Sequence, residues 1–128
     1  MAIQITIQDH FIPYLVLIFN VFIAHLARSI SIRILPINIH IIINELISTI
    51  ELCACCAELG PVWELHGNHG IAIALFLLCV WWCQAWGDAE ACPCGPVEEM
   101  FIMGRSINSP DLIKKLTGQL LGAWLTWK

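Results

Sequence analysis

The sequence predicts an all-α membrane fold, with spanning helices and one re-entrant half-helix. Three observations carry this. First, 59% of the residues are hydrophobic and only 12% are charged, with a mean hydropathy of +0.78. A soluble domain carries about 25% charged residues, so this chain is too poor in charge to cover a globular surface. Second, the apolar residues gather into four segments with helical pattern. Third, the tetrapeptide Cys92-Pro93-Cys94-Gly95 interrupts the chain between two of them. Broken backbone at membrane depth is tolerated only where it is buried in protein or lines a water-filled cavity. The break therefore points to a permeation or binding site.

The first segment runs from about Phe11 to Leu35. Between Phe11 and Leu26 its strongly polar side chains are Asn20 and His25. Residues 1–10 hold no Lys or Arg, so the positive n-region of a signal peptide is absent. A retained membrane helix is expected, either an extra span or an interfacial helix, ended by Pro36. The second segment runs from about Ile37 to Leu59 and is closed by Gly60-Pro61. The third runs from about Gly70 to Trp86 and is closed by Gly87-Asp88. The fourth starts near Asp111 and is still helical in pattern at Lys128. Its apolar part, Leu112 to Trp127, is short beside the roughly 20 residues of a span.

Between the third and fourth segments, Pro96 to Met103 reads as a half-helix. Pro96 suits a first helical turn, where its missing N–H is an orphan anyway. Glu98 and Glu99 are expected in that same turn, where the dipole favours negative charge. Gly104 is the expected stop. Ser109 or Asp111 then caps the next helix.

Positive charge orients these segments. Arg28 and Arg33 lie between the first and second. Arg105, Lys114 and Lys115 lie between the third and fourth. The 60–69 link has none. The positive-inside rule puts the 28–36 and 87–115 regions in the cytoplasm. Trp63 and Trp86 sit near segment ends, as an aromatic belt would place them. The net charge of −4 and the lack of a basic stretch exclude a nucleic-acid partner.

Ionisable groups inside a membrane usually face a bundle interior or a water cavity. Segment two carries Glu45, Glu51 and Glu58. Glu45, one turn from Thr49, is the candidate functional carboxylate, an acceptor for exposed backbone N–H groups of the broken segment. Glu51 is either a partnered interior residue or one without an assigned role. Glu58 reaches the interface. Five of the seven Cys (Cys53, Cys55, Cys56, Cys79 and Cys83) fall in apolar segments and read as small packing residues. Cys92 and Cys94 raise a thiol reading, but Cys-x-Cys is neither the Cys-x₂₋₄-Cys of zinc sites nor the usual redox pair. In segment four, Gly118 and Gly122 form a small-xxx-small face suited to close helix packing, and Gln119 needs an internal partner. No catalytic residue, cofactor or resident metal is expected.

Taken in order, these pieces resemble the aquaporin family, and best its aquaporin-11-like superaquaporin branch. Glu45-Leu46-Ile47-Ser48-Thr49 is similar to the Glu-x-x-x-Thr of the family's first helix. Glu51 to Leu59 resembles the Cys-rich continuation of that helix in the branch. Cys92-Pro93-Cys94-Gly95 stands where the branch has Asn-Pro-Cys-Gly. Gln119-x-x-Gly122-Ala123 resembles the family's third-helix motif. The resemblance covers about Ile39 to Trp127. It implies an extra hydrophobic helix over 1–36 and a first repeat over 37–128: two spans, a re-entrant loop with its half-helix, and a truncated third helix. It implies Cys92, Pro93, Cys94 and Gly95 as the pore motif, with Glu45, Thr49 and Gln119 supporting the loop. It also implies a channel for water or small neutral solutes, in the bilayer of the endoplasmic reticulum or another intracellular membrane. A tetramer is the family's assembly. Cys92 departs from the family Asn, and a thiol is a weaker donor than an amide. The second repeat is absent, so the chain is expected to be the inactive N-terminal half of a channel. The alternative is a membrane thiol protein that binds metal or exchanges disulfides through Cys92 and Cys94.

Overall fold

In the computed structural model, residues 2–104 and 110–127 are described. They form four helices and no strand: α1 (Ala2–Ile34), α2 (Ile37–Ala85), α3 (Cys94–Met103) and α4 (Pro110–Trp127). The all-α expectation holds. Arg105 and Ser109, read above as a topological charge and a cap, lie outside the described residues.

α1 starts at Ala2 rather than near Phe11. Hydropathy excludes Gln4, Gln8, Asp9 and His10 from an apolar segment, but helical backbone accepts them. Pro36, extended at φ −66 and ψ 151, separates α1 from α2, as the restriction on proline requires.

α2 corrects the expected stop at Gly60-Pro61. The helix runs through that pair and breaks at Gly67, with φ 62 and ψ −159. Pro61 is exposed, and a Cβ at Gly60 would meet nothing within 4 Å, so the helix passes this pair on its open side. The backbone of Gly67 lies where almost only glycine goes, and there the chain folds back. Asn44 Nδ2 donates to Trp86 O at 3.3 Å, and Trp81 Nε1 to Glu51 Oε1 at 3.2 Å. Trp63 Nε1 donates to Asn68 Oδ1 at 3.0 Å, close to the bend. Each pair brackets the same midpoint, so residues 37–66 and 68–85 are antiparallel arms of one hairpin. At 1.5 Å per residue they extend about 45 Å and 27 Å.

α1 lies in the groove of this hairpin. Tyr14 meets His66 at a ring separation of 5.3 Å, and His25 meets Trp81 at 5.6 Å. α1 is therefore antiparallel to the first arm and parallel to the second. An apolar cluster of Leu17, Cys55, Leu59, Val62, Ala74, Leu78 and Trp82 fills the half nearer the bend. α4 packs on the first arm through Gly118 and Gly122. A Cβ at Gly118 would sit 2.5 Å from the Ile42 carbonyl oxygen, and one at Gly122 would sit 2.8 Å from Thr49 Cβ. Only glycine permits this approach.

The outside is the reverse of a soluble protein. Ile18, Phe19, Phe76 and Leu77 are each more than 60% exposed, while Arg28, Glu45, Ser48, Thr49, Glu51 and Gln119 are buried. Phe11–Ile34 and Ile39–Ala85 are long and apolar enough to cross a membrane. An apolar shell over a polar interior suits a lipid surround.

Gly118→Ala should destabilise the bundle by about 1–3 kcal/mol, because its methyl meets backbone that has nowhere to move. Gly60→Ala should be neutral or stabilise by about 0.5–1 kcal/mol. Denaturant titration in detergent micelles checks both.

Candidate functional site

A carboxylate buried in an apolar bundle must be given hydrogen-bond donors or a counter-charge. The bundle end away from the Gly67 bend holds two such carboxylates, one turn and a half apart on the first arm. They are satisfied in different ways.

Glu45 takes its donors from backbone. Its Oε1 accepts the Glu90 N–H at 3.1 Å and its Oε2 the Ala91 N–H at 3.1 Å. Gln119 Nε2 of α4 donates to the same Oε2 at 3.0 Å and lies 3.3 Å from the Cys92 carbonyl. Thr49 Oγ1 lies 2.8 Å from the Glu45 carbonyl oxygen and 3.3 Å from that of Ala91. Three side chains from two helices thus grip residues 90–92. Ala91 needs that grip. It is buried and has a φ of 55, a left-handed conformation that costs a non-glycine residue about 1–2 kcal/mol. Gly87, at φ 60, makes the preceding turn without that cost.

α3 starts immediately after this loop, at Cys94, with Pro93 as N-cap. The start is two residues earlier than expected, so Glu98 and Glu99 belong to the second turn, not the first. Pro96 sits in the first turn and is buried. Gly104 ends the helix in the left-handed region, φ 61 and ψ 24. Asp111 lies inside the first turn of α4 and pairs with Lys114 at 3.4 Å. Of the expected site residues, Glu45, Thr49, Gln119 and Cys92 meet through the loop. Pro93 and Cys94 are exposed, and Gly95 is half-buried.

Glu51 takes a counter-ion that the sequence reading assigned elsewhere. Arg28 of α1 is buried, and its Nη2 pairs with Glu51 Oε2 and reaches Ser48 Oγ at 3.3 Å. Trp81 and Trp86 complete the shell, Trp86 Nε1 donating at 3.0 Å. Arg28 is therefore an interior group, not a loop charge. Trp86 turns inward and stacks on Trp82 at 5.1 Å, rather than standing in an interfacial belt. The signal for the pair was present: a cation and an anion, each in an apolar helix. Spacing alone does not reveal which helices touch.

Beside these groups lies a cavity of about 510 Å³ with a mixed lining, its polar side formed by Arg28, His40, Asn44, Glu45, Asp88 and Lys115 and its apolar side by residues such as Ile32 and Ile41. It opens the Glu45 region to the end of the bundle.

No family model matches the chain, and no solved structure matches it. It is similar to a Caenorhabditis elegans protein named "Putative aquaporin-10", at 30% identity over 86 residues. That stretch is 67% of this chain and 30% of the nematode protein. The chain thus spans less than a third of the relative it matches.

The two thiols of the break touch, with Cys92 Sγ and Cys94 Sγ 3.0 Å apart. Among the described residues, no group of three or more His, Cys, Asp or Glu side chains is arranged to hold a metal ion.

Two outcomes follow. Glu45→Gln leaves one fewer acceptor for two amides and Gln119. A hydrogen bond to a charged group contributes about 1.5–3 kcal/mol, so hydrogen exchange at Glu90 and Ala91 should speed by about ten- to hundredfold, read by mass spectrometry. Arg28→Met leaves Glu51 buried and unpaired, a loss of about 3–5 kcal/mol. Adding Glu51→Gln should recover much of it in the same denaturant titration.

Proposed function

We propose that this chain is the N-terminal part of an aquaporin-like membrane channel for water or small neutral solutes. The observation that carries the reading is the Glu45 carboxylate holding the amides of Glu90 and Ala91 ahead of the half-helix α3. A half-helix presents unsatisfied N–H groups and a positive dipole end. Aimed at a water path, such an end helps to exclude protons and cations. In this reading Cys92, Pro93, Cys94 and Gly95 are the pore motif, and Glu45, Thr49 and Gln119 hold the loop in place. Residues 1–36 are a helix outside the repeat, tied on by Arg28, and residues 37–128 are the repeat. The similarity to the nematode protein, and the order in which the motifs occur, support it.

One such repeat supplies half of a constriction. In this reading the chain alone is inactive, and its Cys-rich second segment and Cys92-Pro93-Cys94-Gly95, by their resemblance to the superaquaporin branch, assign it to an intracellular membrane. The thiol alternative is left with two sulfurs and, among the described residues, no gathered third ligand.

Stopped-flow light scattering on proteoliposomes should show water permeability equal to that of empty vesicles. A robust, mercury-sensitive flux from this chain would overturn its inactivity. The channel reading is tested by grafting residues 37–127 in place of the corresponding part of a water-conducting aquaporin. The chimera should raise osmotic permeability in oocytes. A chimera that reaches the surface and does not conduct, beside a conducting host, sinks it.

A further inference from the structure

The channel reading uses the backbone of the break between α2 and α3 and leaves the chemistry of its two thiols unused. Cys92 Sγ and Cys94 Sγ lie 3.0 Å apart, and the fold holds the backbone that carries them. Gln119 Nε2 reaches the Cys92 carbonyl at 3.3 Å. Glu45 fixes the two preceding amides. Pro93, at φ −68 and ψ −8, joins the loop to α3, which starts at Cys94. A proline ring locks its own φ, so the link between the two cysteines has little freedom left to lose.

Such proximity turns a bimolecular step into an intramolecular one. The two thiols also differ in access: Cys94 is exposed and Cys92 half-buried. Cys53, Cys55, Cys56, Cys79 and Cys83 all lie within the arms of α2. Those arms belong to the stretch apolar enough to cross a membrane, where a thiolate is disfavoured. Exposed disulfides are the labile and regulatory ones, unlike those that resist reduction.

We propose that Cys92 and Cys94 form a reversible dithiol–disulfide couple that reacts with low-molecular-weight disulfides, Cys94 as the entry thiol and Cys92 as the resolving one. Cys94 loses its proton to water, and its thiolate attacks one sulfur of the small disulfide. The small disulfide bond breaks, and the departing thiolate takes up a proton. Cys92, deprotonated in the same way, attacks the Cys94 sulfur of the mixed disulfide. The Cys92–Cys94 bond forms, the mixed bond breaks, and a second small thiol leaves. In sum, two protein thiols are oxidised and one small disulfide is reduced to two thiols. The reverse sequence reopens the pair, and neither direction needs a metal or a third protein ligand. The chemistry holds whether or not the segment lines a solute path.

The detergent-solubilised chain is equilibrated in glutathione buffers that run from reduced to oxidised. It is then quenched with acid, alkylated under denaturing conditions and mapped by peptide mass spectrometry. Oxidised buffer should make Cys92 and Cys94 unreactive together, with a peptide mass lower by two hydrogens, while the cysteines of α2 remain alkylated. Cys92→Ser should leave glutathione on Cys94, a species that the wild-type chain does not accumulate. Addition at Cys92 in Cys94→Ser should be slower by about tenfold, because access limits thiol reactivity. Unfolding the chain in guanidinium should lower the equilibrium constant for closure by about tenfold, because the held backbone is released. The proposal is overturned if both thiols stay alkylatable in fully oxidised buffer, if folded and unfolded chains close equally, or if Cys92 reacts as fast as Cys94. A wild-type chain that keeps glutathione on Cys94 as Cys92→Ser does would overturn it too. Failure of the chimera to conduct would leave this couple standing, and failure of the couple would leave the channel reading standing.

Discussion

An unpaired amide in an apolar medium costs several kcal/mol, and the Glu90–Ala91 amides belong to no helix. Glu45 answers that need with one carboxylate. Almost every other feature near it follows. α4 must come close enough for Gln119 to share the carboxylate, which demands Gly118 and Gly122 where the helices cross. Ala91 must keep a left-handed backbone so that two successive amides point the same way, which demands Thr49 and Gln119 on the neighbouring carbonyls. α3 can start immediately after, because the loop that leads into it is already fixed. The grip is local and polar, while the Leu17–Trp82 cluster that closes the hairpin is apolar and lies at the other end.

The two buried carboxylates show how one arm divides its tasks. Glu51 faces α1 and the second arm, and is neutralised by a formal cation. Glu45 faces the loop and α4, and is satisfied by neutral dipoles. The first solution binds helices to one another. The second leaves a carboxylate with no direct ion pair, next to a cavity of about 510 Å³ that Arg28 and Lys115 also line.

Much of this could be read from the residues, and what was missed has physical causes. The apolar segments, the half-helix before Gly104 and the Gly118–Gly122 face are written in periodicity and in the backbone freedom of single residues. The hairpin bend was misplaced because Pro61 is a louder signal than Gly67. A proline inside a helix removes one hydrogen bond and can kink the helix without reversing it, whereas a reversal needs a conformation that only the structure displays. Arg28 was taken for a loop charge because positive residues near a segment end usually are. Trp86 was taken for an interfacial anchor for the same reason. Both turn inward because Glu51 lies opposite them, a fact about helix adjacency that no single segment contains. The Glu90–Lys115 pair is separated by 25 residues, and only the packing of α4 on the first arm brings it together.

The Arg28–Glu51 pair also bears on how the chain is made. A ribosome delivers α1 and its guanidinium to the membrane before the carboxylate 23 residues further on. An Arg adds about 2.5–3.5 kcal/mol to insertion at the centre of a helix and less towards its end, where Arg28 lies. The apolar length of α1 compensates for that, but until the first arm of α2 arrives the helix holds a cation without its mate. Biogenesis therefore favours keeping α1 beside the insertion machinery and releasing it into lipid together with α2, so that order of synthesis and order of assembly are joined at one ion pair.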